Sequence, residues 1–312
     1  TWWRHGPTAS DVMHEDVTPN FFKRSLAHIK ERSRQDVPFF LYLALPSPHT
    51  PILPTPEWQG KSSINPYADF MMQVDDYVGQ VMETVRAQGI EENTIIIFTS
   101  DNDCSPQADF EILGEYGHNP GAGFRGHKAD IYEGGHRVPF IMKWPSKIES
   151  SSVSNTTISL TDLMATCADL VNVPLKDNEA EDSFSLVPLF DSKETTSYMR
   201  EATVHHSING SFAIRKGNYK LIFASGSGGW SYPIPGKDDV SGFPKYQLYD
   251  LTTDPSESEN IVALHPDIVD ELSKQMVSYI ENGRSTLGLQ QQNSTLKLNG
   301  KEWHQVENLI AQ

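Results

Sequence analysis

Residues 95–106 read IIIFTSDNDCSP, an apolar run that stops at three oxygen-bearing side chains, Asp101, Asn102 and Asp103. A short continuous apolar stretch is the pattern of a strand buried on both faces of a parallel sheet. In open α/β sheets ligands gather beyond the carboxyl ends of the strands. The Asp-Asn pair therefore stands where two hard oxygens would meet calcium or magnesium. Taken alone, the pair reads more simply as a turn whose side chains accept backbone hydrogen bonds.

Helical and strand patterns alternate on both sides of this stretch, the mark of a layered α/β fold. Phe22, Leu26 and Ile29 recur at helical spacing after Pro19, which suits a first turn, and predict a helix over 16–35. PFFLYLAL at 38–45 reads as a buried strand, and Pro66 opens a helix with Phe70, Val74, Val78, Val81 and Val85 on one face and Gly89 beyond its end. A strand at Thr94–Thr99 follows, then one at 138–144 and a helix from Thr161. After about residue 190 the texture changes to short alternating strands, FAIRKGNYKLIFAS and YQLYDL, with a helix near 267–281. The expected division is a core over 1–190 and a smaller α+β lobe over 191–312. The intervening loop at 225–237 is expected to be ordered by Trp230 and Tyr232.

The chain has 312 residues, 38% of them hydrophobic, enough for one large core or a core and a lobe. No apolar stretch approaches the roughly 20 residues of a membrane span, and the amino terminus lacks a basic-then-apolar pattern, so a soluble chain is expected. Two cysteines, Cys104 and Cys167, leave the compartment open. A formal charge of −16 argues against nucleic acid as a partner, because a phosphate backbone needs a basic face.

Two further stretches carry chemistry. In SPHTP, His49 stands between prolines that restrict the backbone on both sides. A histidine fixed there can offer a hydrogen bond or a positive charge to an anion. In GFRGHKADIYEGGHRVPF, at 123–140, glycines surround Arg125, His127, Lys128, His136 and Arg137 in an otherwise acidic chain. A solvated basic patch explains that segment as well as a site does. Together the carboxylate-bearing strand end, the fixed histidine and the glycine-flanked lysine suggest a site for an oxyanion ester.

Four blocks in order, PFFLYLALPSPHTP, IIIFTSDND, RGHKADIYEGGHRVPF and VHHSINGSFAIRKGNYKLI, make the chain resemble the C-terminal part of a type I sulfatase, of the alkaline phosphatase superfamily. The resemblance implies a mostly parallel sheet sandwiched between helices, plus a smaller lobe with an antiparallel sheet. It implies that Asp101 and Asn102 bind one calcium ion beside the sulfate. Lys128 is implied to contact the sulfate, and His49 to do likewise and to help protonate the leaving alcohol. A sulfated small molecule or glycan is the implied partner, and a periplasmic, secreted or lysosomal location goes with it. His205 and Arg215, with His206, Asn209 and Lys216, are candidates for lining a sulfated-sugar pocket, and Trp230 or Tyr232 for stacking on the sugar ring. Ordinary surface and core explain each of these singly.

The departures set a further expectation. The family's nucleophile is a formylglycine made from the cysteine of a C-x-P-S-R motif, and this chain has none: CSPQA at 104–108 places Ala108 where arginine belongs. The chain opens at Thr1 in mid-pattern, so an N-terminal part of the core, with formylglycine, is expected to be missing and the chain alone to be inactive. Asp103 replaces the glycine usual after Asp-Asn, tolerable because Asp accepts a left-handed backbone. Rival readings are a phosphatase or phosphodiesterase of the same superfamily, marked by transition metals, and a non-catalytic sulfated-glycan-binding remnant. Sequons at Asn155, Asn209 and Asn293 matter only in a glycosylating host.

Overall fold

The computed structural model describes residues 6–191 and 200–293; the sequon serine and threonine after Asn293, and Thr1, lie outside them. The elements in chain order are α1 (Val17–Arg32), α2 (Pro66–Ala87), β1 (Ile96–Thr99), α3 (Phe110–Glu115), α4 (Glu133–His136), β2 (Phe140–Lys143) and α5 (Asp162–Leu170). They continue with β3 (Thr203–His206), β4 (Phe212–Lys216), β5 (Tyr219–Ile222), β6 (Gln247–Asp250) and α6 (Pro266–Asn282). The chain divides into two compact units: described residues up to Phe98 with Ser105–Pro120 and Ile141–Ser146, and Thr99–Cys104 with Gly121–Phe140 and the described residues from Lys147 onward.

In the first unit α1 buries Phe22 and Ile29, and α2 buries Phe70, Val74 and Val85. The Phe22 and Tyr77 rings meet at 4.9 Å between the two helices. Asn65 caps α2 by accepting from the Ala68 amide, with Pro66 as the first helical residue. β1 pairs with β2, and the Lys143 ammonium meets Glu91 at 2.5 Å. The expected strand at 38–45 does not form. Phe40 and Tyr42 are 78% and 80% exposed, and the run has no ladder partner among the described residues; Phe39 meets the His28 ring of α1 edge-on at 5.9 Å.

In the second unit β3, β4, β5 and β6 form an antiparallel sheet in sequence order. Its period-two alternation divides two cores. Ile214, Leu221 and Leu248 face one cluster, in which α6 contributes Leu272 and Met276. Ala213, Ile222 and Tyr249 face the other, in which Ile131 and Tyr132 lie. The glycine-rich segment that carries Lys128 is thereby seated on a sheet face by the two residues that follow its turn. The loop at 225–237 is ordered: Tyr232, 63% exposed, meets the Phe243 ring edge-on at 6.5 Å, Ser227 donates its amide to the Pro233 carbonyl at 3.0 Å and Trp230, half-buried, donates its amide to Asp130 at 2.7 Å.

Candidate active site

The Asp-Asn loop leaves β1 at Thr99, and its turn is held by the Ser100 hydroxyl donating to the Asn102 carbonyl at 2.8 Å. Asp101 is exposed. The Asn102 side-chain oxygen is buried and accepts no hydrogen bond among the described residues, which costs a polar atom held out of water. An unsatisfied amide oxygen beside a free carboxylate is a donor set that suits a hard cation. Asp103 does not take the left-handed backbone anticipated for it; its carboxylate accepts the Cys104 amide at 2.6 Å instead. Burial pushes the Asp103 carboxyl up, against that bond and nearby His127.

Two backbone hydrogen bonds join this loop to the Lys128 segment. The Lys128 amide donates to the Cys104 carbonyl at 3.0 Å, and the Asp103 amide to the Gly135 carbonyl at 3.3 Å. Gly126 (φ +77°) and Ala129 (φ +85°) bend the chain on either side of Lys128. A left-handed alanine is uncommon and persists where its surroundings over-determine it; here the Ala129 carbonyl accepts from the Ile208 amide at 3.0 Å. The Asp130 carboxylate is fully buried and accepts from the amides of His127 at 2.9 Å, Trp230 at 2.7 Å and Ser231 at 3.0 Å.

The basic residues around Lys128 do not form a solvated patch. The Arg125 guanidinium donates to the Glu257 carbonyl at 2.7 Å and lies 3.9 Å over the Tyr132 ring. Arg137 lies over Phe124 and meets Glu133 at 3.3 Å, and His127 stands 3.6 Å from Asp130. The Lys128 ammonium, half-buried, makes no hydrogen bond or ion pair among the described residues.

Sequence reasoning missed the buried ion network behind this segment. Lys220 is fully buried, with Glu257 at 2.8 Å and Glu133 at 3.1 Å. Burial raises the Glu133 carboxyl, but Lys220, His136 and Arg215 outweigh that and hold it well below the usual carboxylate range. The Glu257 carboxyl is raised by burial, partly opposed by Lys220. His136 is pushed down to about 4 by burial and by Lys220, and His205 well below its ordinary value by burial and its neighbours His136 and Lys220. The sequence signal for Lys220 was its place in β5 on the face that Ile222 shares, between residues of an apolar strand, where a lysine is out of pattern.

The other candidates fall in different places. His205 stacks on His136 with ring centroids 3.7 Å apart, and Arg215 meets Glu133 at 3.3 Å. Both are committed to this network, and among the described residues neither bonds to Lys128. His49 belongs to the other compact unit; it is exposed, with Nδ1 2.8 Å from the Thr50 carbonyl. With Nδ1 engaged by that carbonyl, Nε2 is the ring nitrogen left to face a ligand. Cys104 and Cys167 are not joined in a disulfide; Cys104 is half-buried and Cys167 exposed. Among the described residues no three His, Cys, Asp or Glu side chains gather as a metal centre. Of the sequon asparagines, Asn209 is turned inward, accepting from Ser207 and Ser211, whereas Asn155 is exposed.

The Sulfatase family profile matches residues 4–173, and that of the N-sulphoglucosamine sulphohydrolase C-terminal region matches 124–232. An N-acetylgalactosamine-6-O-sulfatase of Bacteroides thetaiotaomicron is 34% identical over 281 residues, covering 88% of this chain and 53% of the relative. The chain belongs to the sulfatase family. Human arylsulfatase A is 32% identical over 240 residues, covering 74% of this sulfatase chain and 46% of that protein. A Bacteroides thetaiotaomicron sulfatase, solved in work on the metabolism of multiple glycosaminoglycans, superposes with a TM-score of 0.74 at 33% identity, over 86% of this chain and 55% of its own. These neighbours give the chain the alkaline phosphatase-like fold, with the antiparallel sheet in its C-terminal part. The sulfatase chain spans about half the length of the curated relatives it matches. No helix among the described residues is long and apolar enough to cross a membrane.

Proposed function

We propose that this chain is the back part of a sulfuric ester hydrolase that releases sulfate from a carbohydrate or aryl sulfate. The observation that carries the reading is the pair of backbone hydrogen bonds that hold the Asp101–Asn102 loop against the Lys128 turn. Asp101 and Asn102 would hold a calcium ion, which supplies positive charge against the sulfate oxygens. The Asn102 oxygen is already desolvated for such a contact, and an amide-plus-carboxylate set favours a hard cation over the transition metals of a phosphatase. Lys128, whose ammonium has no protein partner among the described residues, neutralises the same oxyanion. His49 binds the sulfate from its own loop and offers the proton that the departing alcohol takes up. The nucleophile, a formylglycine, belongs to a segment ahead of this chain, and the chain alone is inactive.

The exposed faces of Phe40, Tyr42, Ile97 and Ile141 support that incompleteness, since a sheet of this class is covered on both sides. Residues 1–190 then form the rear of the sulfatase core and 191–312 the smaller lobe. The substrate class is a sulfated glycan or small molecule, with the 6-O-sulfated N-acetylgalactosamine named by the 34% identical relative as the first to try. Work outside the cytoplasm, in a secreted, periplasmic or lysosomal setting, goes with that substrate. The test is the mass and upstream sequence of the protein from its native source. A mass well above 35.0 kDa with a C-x-P-S-R cysteine converted to formylglycine supports the reading. Sulfate release from an aryl sulfate by the purified 312-residue chain, abolished by Asp101→Ala, contradicts it.

A further inference from the structure

We propose that Asp130 is a positioning residue that locks the Lys128 turn to the 227–233 loop; the inference rests on the reading of Lys128 as the sulfate-contacting group. The Asp130 carboxylate is fully buried, a state in which each oxygen needs donors. Its oxygens divide the work. Oδ2 accepts the His127 amide at 2.9 Å, and the Asp130 amide donates back to the His127 carbonyl at 3.0 Å, closing a turn with Lys128 inside it. Oδ1 reaches a segment one hundred residues later and accepts the Trp230 and Ser231 amides at 2.7 and 3.0 Å.

A local turn needs only the first oxygen. The second is spent on a distant loop, and both segments carry a glycine shaped around the carboxylate. A Cβ on Gly126 would lie 2.8 Å from Oδ2, and one on Gly229 would overlap Oδ1 and the Ala129 carbonyl. The Lys128 backbone is thus held by Cys104 through its amide, by Ile208 through the Ala129 carbonyl, and by Asp130 across the turn. The His127 ring nitrogen Nδ1 also lies 3.1 Å from the Lys128 carbonyl, and the Ile131 amide donates to the Ser227 carbonyl at 2.8 Å, so Asp130 joins the 227–233 loop beside a main-chain bond and adds the side-chain bonds to Trp230 and Ser231. Charge-assisted bonds to backbone amides are the strong kind, suited to fixing a loop within the tolerance an anion contact needs.

The test uses the 312-residue chain in calcium-containing buffer with inorganic sulfate as the probe. Asp130→Ala should free the His127, Trp230 and Ser231 amides to exchange with solvent faster, and weaken sulfate binding about tenfold, the scale on which groups that orient a ligand act. Asp130→Asn separates the two oxygens: its carbonyl still accepts from Trp230 and Ser231, while its NH2 opposes the His127 amide. Protection at Trp230 and Ser231 should return, with sulfate affinity between wild type and the alanine variant. A merely structural residue would alter stability without this graded affinity in the folded protein. Loss of affinity in Lys128→Ala with none in either Asp130 variant overturns the inference alone. Wild-type affinity in Lys128→Ala contradicts the reading of Lys128 and takes the inference with it. If Asp130→Ala does not fold, unchanged exchange and affinity in Asp130→Asn overturn it equally.

Discussion

The Lys128 amide donates to the Cys104 carbonyl at 3.0 Å, so the loop bearing Asp101 and Asn102 and the loop bearing Lys128 are joined through main chain. Their spacing is therefore sensitive to small backbone displacements in the segment beneath. Gly134 is the sharpest probe: a Cβ there would lie 2.6 Å from the carbonyl oxygens of Arg125 and Gly126, neither of which can rotate away. Gly134→Ala is expected to lower stability by about 1–3 kcal/mol, read as a lower urea midpoint, and to weaken calcium binding in the fraction that folds.

Lys220 neutralises two buried carboxylates at once, Glu133 and Glu257. Lys220→Met leaves both without it and should cost about 3–5 kcal/mol. Adding Glu257→Gln removes one orphaned charge and should restore part of the loss. Chemical denaturation of the two variants decides the matter, and equal stability of Lys220→Met and wild type would rule it out.

His136 is held neutral in the fold at a value of about 4, below its ordinary 6.5. The unfolded chain then binds more protons between those values, so stability falls as pH drops from about 6.5 toward 4. At pH 5 the loss from His136 is about 2 kcal/mol relative to pH 7.5. Glu257, raised by burial, acts in the opposite sense in its own window, so the comparison is with His136→Gln rather than wild type alone. The expected result is a shallower decline of the urea midpoint with acid in the glutamine variant; parallel curves would refute it.

Phe40 and Tyr42 are almost fully exposed, whereas Leu221 is buried. Serine at either aromatic should change the stability of this chain by no more than about 0.5 kcal/mol. Leu221→Ala should cost about 2–5 kcal/mol. Denaturation of this chain beside a longer protein supplying the rest of the core would show the aromatic substitutions becoming costly only in the latter.

The helices were legible because their signals are local: Asn65 and Pro66 start α2, and Phe70, Val74 and Val85 recur at the spacing that buries one face. The antiparallel pair β4–β5 was legible from its alternation around a two-residue turn. The strand at 38–45 misled because its pattern reports what a neighbouring strand would bury, and no strand among the described residues pairs with it. The candidate site was legible at Asp101, Asn102 and Lys128 through residue type and glycine context. Lys220, Glu133 and Glu257 were not, because a buried ion network is assembled from residues as much as 124 positions apart, as Glu133 and Glu257 are. Asp130 was hidden for the same reason: its turn is local, but its second oxygen serves residues 230 and 231.

The most direct measurement is calorimetric titration of the 312-residue chain with calcium, with and without inorganic sulfate, for wild type, Asp101→Ala and Lys128→Ala. Calcium and sulfate should each tighten the other's binding, because the cation and the ammonium share one oxyanion. Asp101→Ala should abolish calcium binding, and Lys128→Ala should remove the sulfate enhancement while leaving calcium bound. Calcium and sulfate binding independently, or zinc binding in place of calcium with Asp101 dispensable, would contradict the proposed site.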